Sequence, residues 1–209
     1  MQMKMKDVLA GAAALLLGGC AGPLSEAALI ARADSAVTVA ARGETTPVGT
    51  ANDDAADDPA IWRNPADPAA SLIVGTDKKA GLYVYGLDGR TRSFLDVGRV
   101  NNVDLRGDVE WGGRRIVLVA ASNRNDLVNA AIDLFELDPT SATLRPIGKV
   151  AAGAGEAYGL CLYRSPDALH AFMVIKDGTI RQVRLAADGG GVVRTLKLAT
   201  QSEGCAVDE

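Results

Sequence analysis

The chain has 209 residues, of which 48% are hydrophobic, 23% are charged and 4% are aromatic. The hydrophobic fraction excludes a wholly disordered chain, and 23 glycines with 8 prolines are too few for a collagen-like or proline-rich fibre. A formal net charge of −4 excludes the strongly basic balance of a nucleic-acid-binding domain, so we expect no nucleic-acid partner. This length is sufficient for one domain or two small ones.

The first twenty residues are organised like an export signal. Two lysines and an uncharged apolar run, residues 8–17, precede the segment Leu17-Gly18-Gly19-Cys20. The run is too short to cross a membrane, which takes about 20 apolar residues. Because the segment resembles the lipobox of bacterial lipoproteins, we expect residues 1–19 to be removed and Cys20 to be lipidated. The alternative is an ordinary secretory signal cleaved near residue 21.

Both readings predict an exported protein, either anchored by lipid in the periplasm or outer membrane or secreted. Residues 20–50 are rich in Ala, Ser and Thr and show no clear strand period, which is typical of a tether or an N-terminal edge segment. The folded domain is therefore expected to cover residues 51–209. Export permits a disulfide between Cys161 and Cys205. Two cysteines do not make a disulfide framework, however, and the sequence favours two unpaired, half-buried cysteines.

From about residue 59 onward the chain alternates short β-prone runs with turn residues. The dipeptide Asp88-Gly89 lies between two such runs and predicts a hairpin. Several runs alternate apolar and polar residues, as half-buried strands do, and no long helical period follows residue 30. The sequence thus predicts an all-β fold, with strands at 71–76, 82–85, 115–120, 131–137, 158–163, 170–175, 179–185 and 192–198.

These strands fall into groups of four, covering about 59–97, 102–150 and 158–198. The groups recur about every 45–55 residues, close to the 40–50 residues that are typical of a β-propeller blade. We therefore expect a propeller of four-stranded antiparallel blades, with three blades and the start of a fourth present. A sandwich of antiparallel strands is the alternative, but it needs no such period.

Charged residues recur at equivalent places in the groups. The turn between the second and third strands carries Lys78, Arg124 and Lys176 in the three groups. Acidic residues stand near the starts of first strands: Asp57, Asp58, Asp104 and, in the next repeat, Glu203. Antiparallel connection places both sets at one rim.

Carboxylates crowded around the axis of a propeller repel each other unless cations lie between them. Hard oxygen ligands of this kind suit Ca²⁺. A ring of basic side chains outside the carboxylates predicts a ligand with several phosphates, since Arg and Lys both bind phosphate oxygens. The alternative is that the basic residues are solvated surface charges. The single histidine, His170, lies on a predicted strand and is expected to be structural.

Over residues 50–209 the chain resembles the β-propeller phytases. This resemblance implies a six-bladed, calcium-dependent enzyme that hydrolyses phosphomonoesters of myo-inositol hexakisphosphate (phytate), with a water activated by calcium attacking phosphorus. The segments that carry it are Asp57-Asp58-Pro59-Ala60-Ile61-Trp62, residues 75–85, residues 101–106, residues 121–124, Tyr158-Gly159, Ser202-Glu203-Gly204 and Asp208-Glu209.

The resemblance also assigns roles to residues. Phosphate groups would be held by Lys78, Arg124 and Lys176, with Tyr158 beside them. Calcium would be ligated by Asp58 and Glu203, with Asp57 and Asp104 as weaker candidates. The chain stops inside the fourth repeat, so we expect an N-terminal portion that is inactive alone and a monomer when complete. The alternative function is a non-catalytic exported propeller that binds an anionic ligand or a protein partner.

Overall fold

The computed structural model of the chain describes residues 38–50, 54–199 and 205. The predicted signal segment 1–19, the lipidation site Cys20 and the candidate ligand Glu203 lie outside the described residues. In the described part, the strands are accompanied by a single 3-10 turn at Pro68–Ala70, and no helix has the length and hydropathy of a membrane span.

Twelve strands follow one another through the described part of the chain. They are β1 (Ala56–Trp62), β2 (Leu72–Asp77), β3 (Gly81–Gly86), β4 (Thr91–Asp96), β5 (Val100–Trp111), β6 (Arg114–Asn123), β7 (Asn129–Asp138), β8 (Thr143–Ala154), β9 (Ala157–Arg164), β10 (Leu169–Ile175), β11 (Thr179–Leu185) and β12 (Gly191–Lys197).

The strands form three four-stranded antiparallel sheets in chain order, which we call blade one (β1–β4), blade two (β5–β8) and blade three (β9–β12). The prediction of an all-β fold with groups of four strands is therefore confirmed, and the sheets are consistent with propeller blades. The hairpin predicted at Asp88-Gly89 is also confirmed. Its loop has four residues, 87–90, and only Gly89 among them has a positive φ, of 75°.

Two apolar cores hold the blades together, and blade two contributes one face to each. Val119 and Phe135 pack toward blade one, against Val74 and its neighbours. On the other face, Leu118 and Ile132 belong to the core shared with blade three. Because alternate side chains of a strand point to opposite faces, both sides of β6 and β7 are buried, which explains their nearly continuous apolar sequences.

The alternation of side chains along β5 determines which residues face blade one and which face blade three. Val103 and Leu105 are buried in the core shared with blade one. Asp104 and Arg106 alternate with them, and Arg106 Nη2 donates to the Leu162 carbonyl of blade three at 2.6 Å. The period of two thus places an apolar contact on one side of β5 and a polar contact on the other.

The end of the predicted tether lies against blade one. Thr46 N donates to the Gly89 carbonyl at 2.8 Å, and Gly49 N donates to the Tyr83 hydroxyl at 2.8 Å. The Thr50 hydroxyl donates to Asp77 Oδ1 at 2.6 Å. Residues 46–50 are therefore attached to the first blade by hydrogen bonds.

Cys161 and Cys205 form a disulfide, so the prediction of two unpaired cysteines was wrong. Their Cα atoms are 5.5 Å apart, within the range that a disulfide bridges. Cys161 is buried on β9, the first strand of blade three, three residues after Tyr158. Cys205 stands two residues after Glu203 in the next repeat. The two cysteines thus occupy nearly equivalent positions in consecutive repeats, and counting cysteines alone could not reveal that relation.

Loss of this disulfide should destabilise the protein. The bond links residues 44 apart in the sequence, and replacing both cysteines by alanine should lower the free energy of unfolding by about 2–4 kcal/mol because the unfolded chain regains loop entropy. Urea unfolding followed by circular dichroism measures the change. Reductant should lower the midpoint of the wild type and leave that of the double variant unchanged; a wild-type midpoint insensitive to reductant would contradict the assignment.

Candidate functional site

One backbone hydrogen bond recurs in all three blades and fixes the position of the three predicted cations. Lys78 N donates to the Ala55 carbonyl at 2.8 Å, Arg124 N to the Arg99 carbonyl at 2.8 Å, and Lys176 N to the Glu156 carbonyl at 3.1 Å. In each case the residue after the second strand is tied to the residue just before the first strand. The structure therefore places Lys78, Arg124 and Lys176 at one repeat position on one rim, as the sequence predicted.

Lys78 is paired with two carboxylates of its own blade. Its Nζ lies 3.1 Å from Asp54 and 3.3 Å from Asp57, and its side chain is only 12% exposed. Burial lowers the pKa of Lys78, but the hydrogen bonds to Asp54 and Asp57 outweigh it and raise the pKa above its ordinary value. Lys78 is thus a fully charged group held in a fixed place.

Arg124 and Lys176 come from different blades and meet at Tyr158. The Arg124 guanidinium carbon lies 5.0 Å from the centre of the Tyr158 ring, and Lys176 Nζ lies 5.1 Å from it, both within cation–π range. Both cations also form ion pairs with Glu156, Lys176 at 3.8 Å. These contacts bring together three of the four residues for which the sequence predicted a role in substrate binding.

Asp58 stands among groups of its own sign. Its Oδ2 accepts a hydrogen bond from Val103 N at 3.0 Å, which joins blade one to blade two. Burial raises the pKa of Asp58, and the nearby carboxylates of Asp57 and Asp104 raise it further against the opposing hydrogen bonds. Ionised Asp58 is therefore held at a cost, as is common for acidic groups in functional sites.

Asp104 has a different environment from Asp58. Its carboxylate accepts hydrogen bonds from Arg106 Nη1 at 3.0 and 3.1 Å and from Leu162 N at 2.8 Å. The bond from Leu162 N connects the first strands of blades two and three. The geometry thus assigns Asp104 a role in joining blades, and its predicted role as a calcium ligand stays a prediction.

The described residues supply only part of the predicted metal site. Among residues 38–50, 54–199 and 205, no group of three or more His, Cys, Asp or Glu is arranged to hold a metal ion. Asp57 and Asp58 are adjacent at the start of β1, and Glu203 falls outside the described residues. Calcium binding remains a prediction for these three residues.

The set of predicted site residues omitted three residues that contact the predicted cations. Asp54 pairs with Lys78, Glu156 pairs with Arg124 and Lys176, and Asn101 Oδ1 accepts from Arg124 Nη1 at 3.3 Å. The repeat itself contained a signal for them, since each stands within a few residues of the start of a first strand, opposite the basic turn.

Two comparisons with known proteins agree on a family. A family model described as Phytase matches residues 5–209. A protein named 3-phytase from Bacillus subtilis (strain 168) is 38% identical over 182 residues, which are 82% of this chain and 47% of that protein. The chain thus spans about half the length of this curated relative.

The crowding at Asp58 predicts that its neutralisation stabilises the calcium-free protein. Folded Asp58 holds its proton more tightly than unfolded Asp58, so its ionisation removes stability as the pH rises from the ordinary value of 3.8 through the raised pKa. Asp58→Asn keeps an oxygen for the Val103 amide and should therefore raise the thermal midpoint at pH 7 in the presence of chelator. The gain should shrink as the pH approaches 3.

Asp167→Asn is the matched control, because Asp167 is exposed in the turn before β10. It should leave the midpoint unchanged across the same range of pH. A lower midpoint for Asp58→Asn at pH 7, with the control unchanged, would show that ionised Asp58 is stabilising and contradict the interpretation.

Proposed function

The chain belongs to the phytase family, and we propose that the protein removes phosphate from phytate in a calcium-dependent reaction. The observation that carries the proposal is the repeated rim position of Lys78, Arg124 and Lys176, with the Tyr158 ring in contact with the last two. The Bacillus subtilis relative, named 3-phytase, supports the same substrate class.

Lys78, Arg124 and Lys176 would bind the phosphates of the substrate. Arg124 is suited to this role because its side chain, like that of Lys78, is only 12% exposed, so its charge is weakly screened. Its Nε is buried and has no hydrogen-bond partner within the described residues. A guanidinium with a spare N–H can take phosphate oxygens in its fork geometry, and the Tyr158 ring centre lies 5.0 Å from this one.

The charge balance of the rim supports a role for calcium. The three cations share the rim with the carboxylates of Asp54, Asp57, Asp58 and Glu156, so these seven side chains together have no excess of positive charge. A polyanion needs additional positive charge, and a bound cation inverts the local field in such sites. Calcium would supply it.

The residues present fit calcium in donor chemistry. Asp57 and Asp58 offer hard carboxylate oxygens, and the raised pKa of Asp58 reflects burial and carboxylate repulsion that a cation would relieve. We propose these two residues and Glu203 as ligands, with water or substrate oxygens completing the set. When bound, calcium would supply charge for the phosphoryl oxygens and lower the pKa of water.

The chain's own groups would position the phosphate and stabilise the transition state. Lys78 and Arg124 are held by ion pairs before substrate arrives, so they need little reorganisation during the reaction. The hydrogen bonds that Lys78 and Arg124 donate to the substrate would strengthen as negative charge develops on the phosphoryl oxygens. Lys176, which is 41% exposed, would hold a neighbouring phosphate of the same molecule.

Export and lipid anchoring complete the proposal. The segment Leu17-Gly18-Gly19-Cys20 supports attachment of a monomeric protein to a membrane through lipid alone. Cys20→Ser should therefore move the protein from the membrane fraction to the soluble exported fraction, measured by fractionation and immunoblotting. An unchanged distribution would favour the ordinary secretory signal.

Phosphate release from phytate tests the catalytic proposal. The full-length protein should release phosphate with Ca²⁺ and lose that activity in chelator. Arg124→Met should lower kcat/KM by roughly 100-fold, because a charged donor to the phosphoryl group is removed.

Arg114→Met is the matched control, since Arg114 pairs with Glu136 at the opposite rim, and it should keep activity within about twofold. Equal phosphate release with Ca²⁺ and with chelator would reject the calcium mechanism. Binding of phytate without any release would favour the non-catalytic propeller.

A further inference from the structure

Glu156 precedes β9 and faces Lys176 across the first two strands of blade three. Lys176 N donates to the Glu156 carbonyl at 3.1 Å, and Lys176 Nζ lies 3.8 Å from Glu156 Oε1. The same oxygen accepts a hydrogen bond from Arg124 Nη2 of blade two. One carboxylate oxygen therefore connects cations that belong to two different blades.

The link between Glu156 and Arg124 is shielded from solvent. The Glu156 side chain is 21% exposed and the Arg124 side chain 12%. Ion pairs at such sites are weakly screened, and removal of one partner leaves the other without compensation. The remaining contacts of the Arg124 side chain within the described residues are a 3.3 Å hydrogen bond to Asn101 and the Tyr158 ring. Glu156 is thus the only ion-pair partner of Arg124 among the described residues.

Arg124 and Lys176 keep N–H donors for phosphate while they contact the Glu156 carboxylate. Glu156 and Asn101 each take one of the five N–H donors of the Arg124 guanidinium. Lys176 has three donors and a side chain 41% exposed. Two cations and one carboxylate carry a net charge of +1, so the group still attracts anions.

We propose that Glu156 is a positioning residue of the phosphate-binding site, whose carboxylate holds Arg124 and Lys176 against Tyr158 so that the two cations bind phosphate as a pair. This inference rests on the proposed function and extends it to a residue outside the predicted set. In this arrangement Glu156 of blade three orients Arg124, which belongs to blade two. If the Glu156 carboxylate merely competed with phosphate for the two cations, its removal would raise the affinity for phosphate instead of lowering it.

Glu156→Gln tests the inference in the full-length protein, because glutamine keeps the size and an acceptor oxygen but loses the charge. Binding of inorganic phosphate is measured by calorimetry, with Ca²⁺ and with chelator, and KM and kcat are measured for phytate. We expect phosphate affinity to fall about tenfold and KM to rise about tenfold, with kcat within about twofold. Glu156→Asp keeps the charge on a shorter side chain, so its phosphate affinity and KM should lie between those of the wild type and those of Glu156→Gln.

Glu136→Gln is the matched control. Glu136 also bridges two cations, Arg114 and Arg145, but at the opposite rim. The Glu136→Gln variant should leave phosphate affinity and KM unchanged. Its thermal midpoint shows how much stability is lost when such an ion-pair bridge is broken. Binding is compared at a temperature where each variant is folded by circular dichroism.

Unchanged phosphate affinity in Glu156→Gln would overturn the inference, and tighter binding would identify Glu156 as a competitor instead. Absence of phosphate binding by the wild type in both conditions would also overturn it. Phosphate binding that depends on Glu156 in a protein without phytate hydrolysis would reject the proposed function and leave the inference standing.

Discussion

The site depends on a hydrogen bond between the ends of two neighbouring strands. In each blade, the amide of the residue after the second strand donates to a carbonyl just before the first strand, at Ala55, Arg99 and Glu156. This bond makes the basic turn part of the sheet's edge. Because the three blades repeat it, the side chains of Lys78, Arg124 and Lys176 leave the rim at equivalent points. The carboxylates that steady them come from the same edges.

The architecture was readable from the sequence because it rests on local rules. Alternation within strands, the turn at Gly89 and a repeat of blade length together predict three four-stranded sheets and the rim on which the cations lie. The prediction failed where a contact joins distant parts of the chain. Cys161 and Cys205 pair although they stand 44 residues apart in consecutive repeats, whereas cysteine number alone favoured unpaired thiols.

Side-chain partners were harder to predict than side-chain positions. Asp104 and Asp58 stand at corresponding places near the starts of first strands, yet Asp104 is bound by Arg106 and the Leu162 amide while Asp58 has carboxylates nearby. Their sequence contexts differ at Asp57, which precedes Asp58, and at Arg106, two residues after Asp104 on β5. Glu156 likewise gained its role from an arginine of another blade. Such pairings depend on inter-blade geometry, which no short window of sequence contains.

The order of the strands has a consequence for how the chain can fold as it is synthesised. Each sheet consists of strands that are consecutive in the chain, so most pairing is between near neighbours, and relative contact order within a blade is low. Blade one can pair its strands before blade two has been made, but its apolar face toward blade two, which includes Val74 and Val84, stays open until β6 and β7 arrive. Nascent chains therefore pass through stages in which one blade waits for the next, with hydrophobic surface exposed to water or to a chaperone.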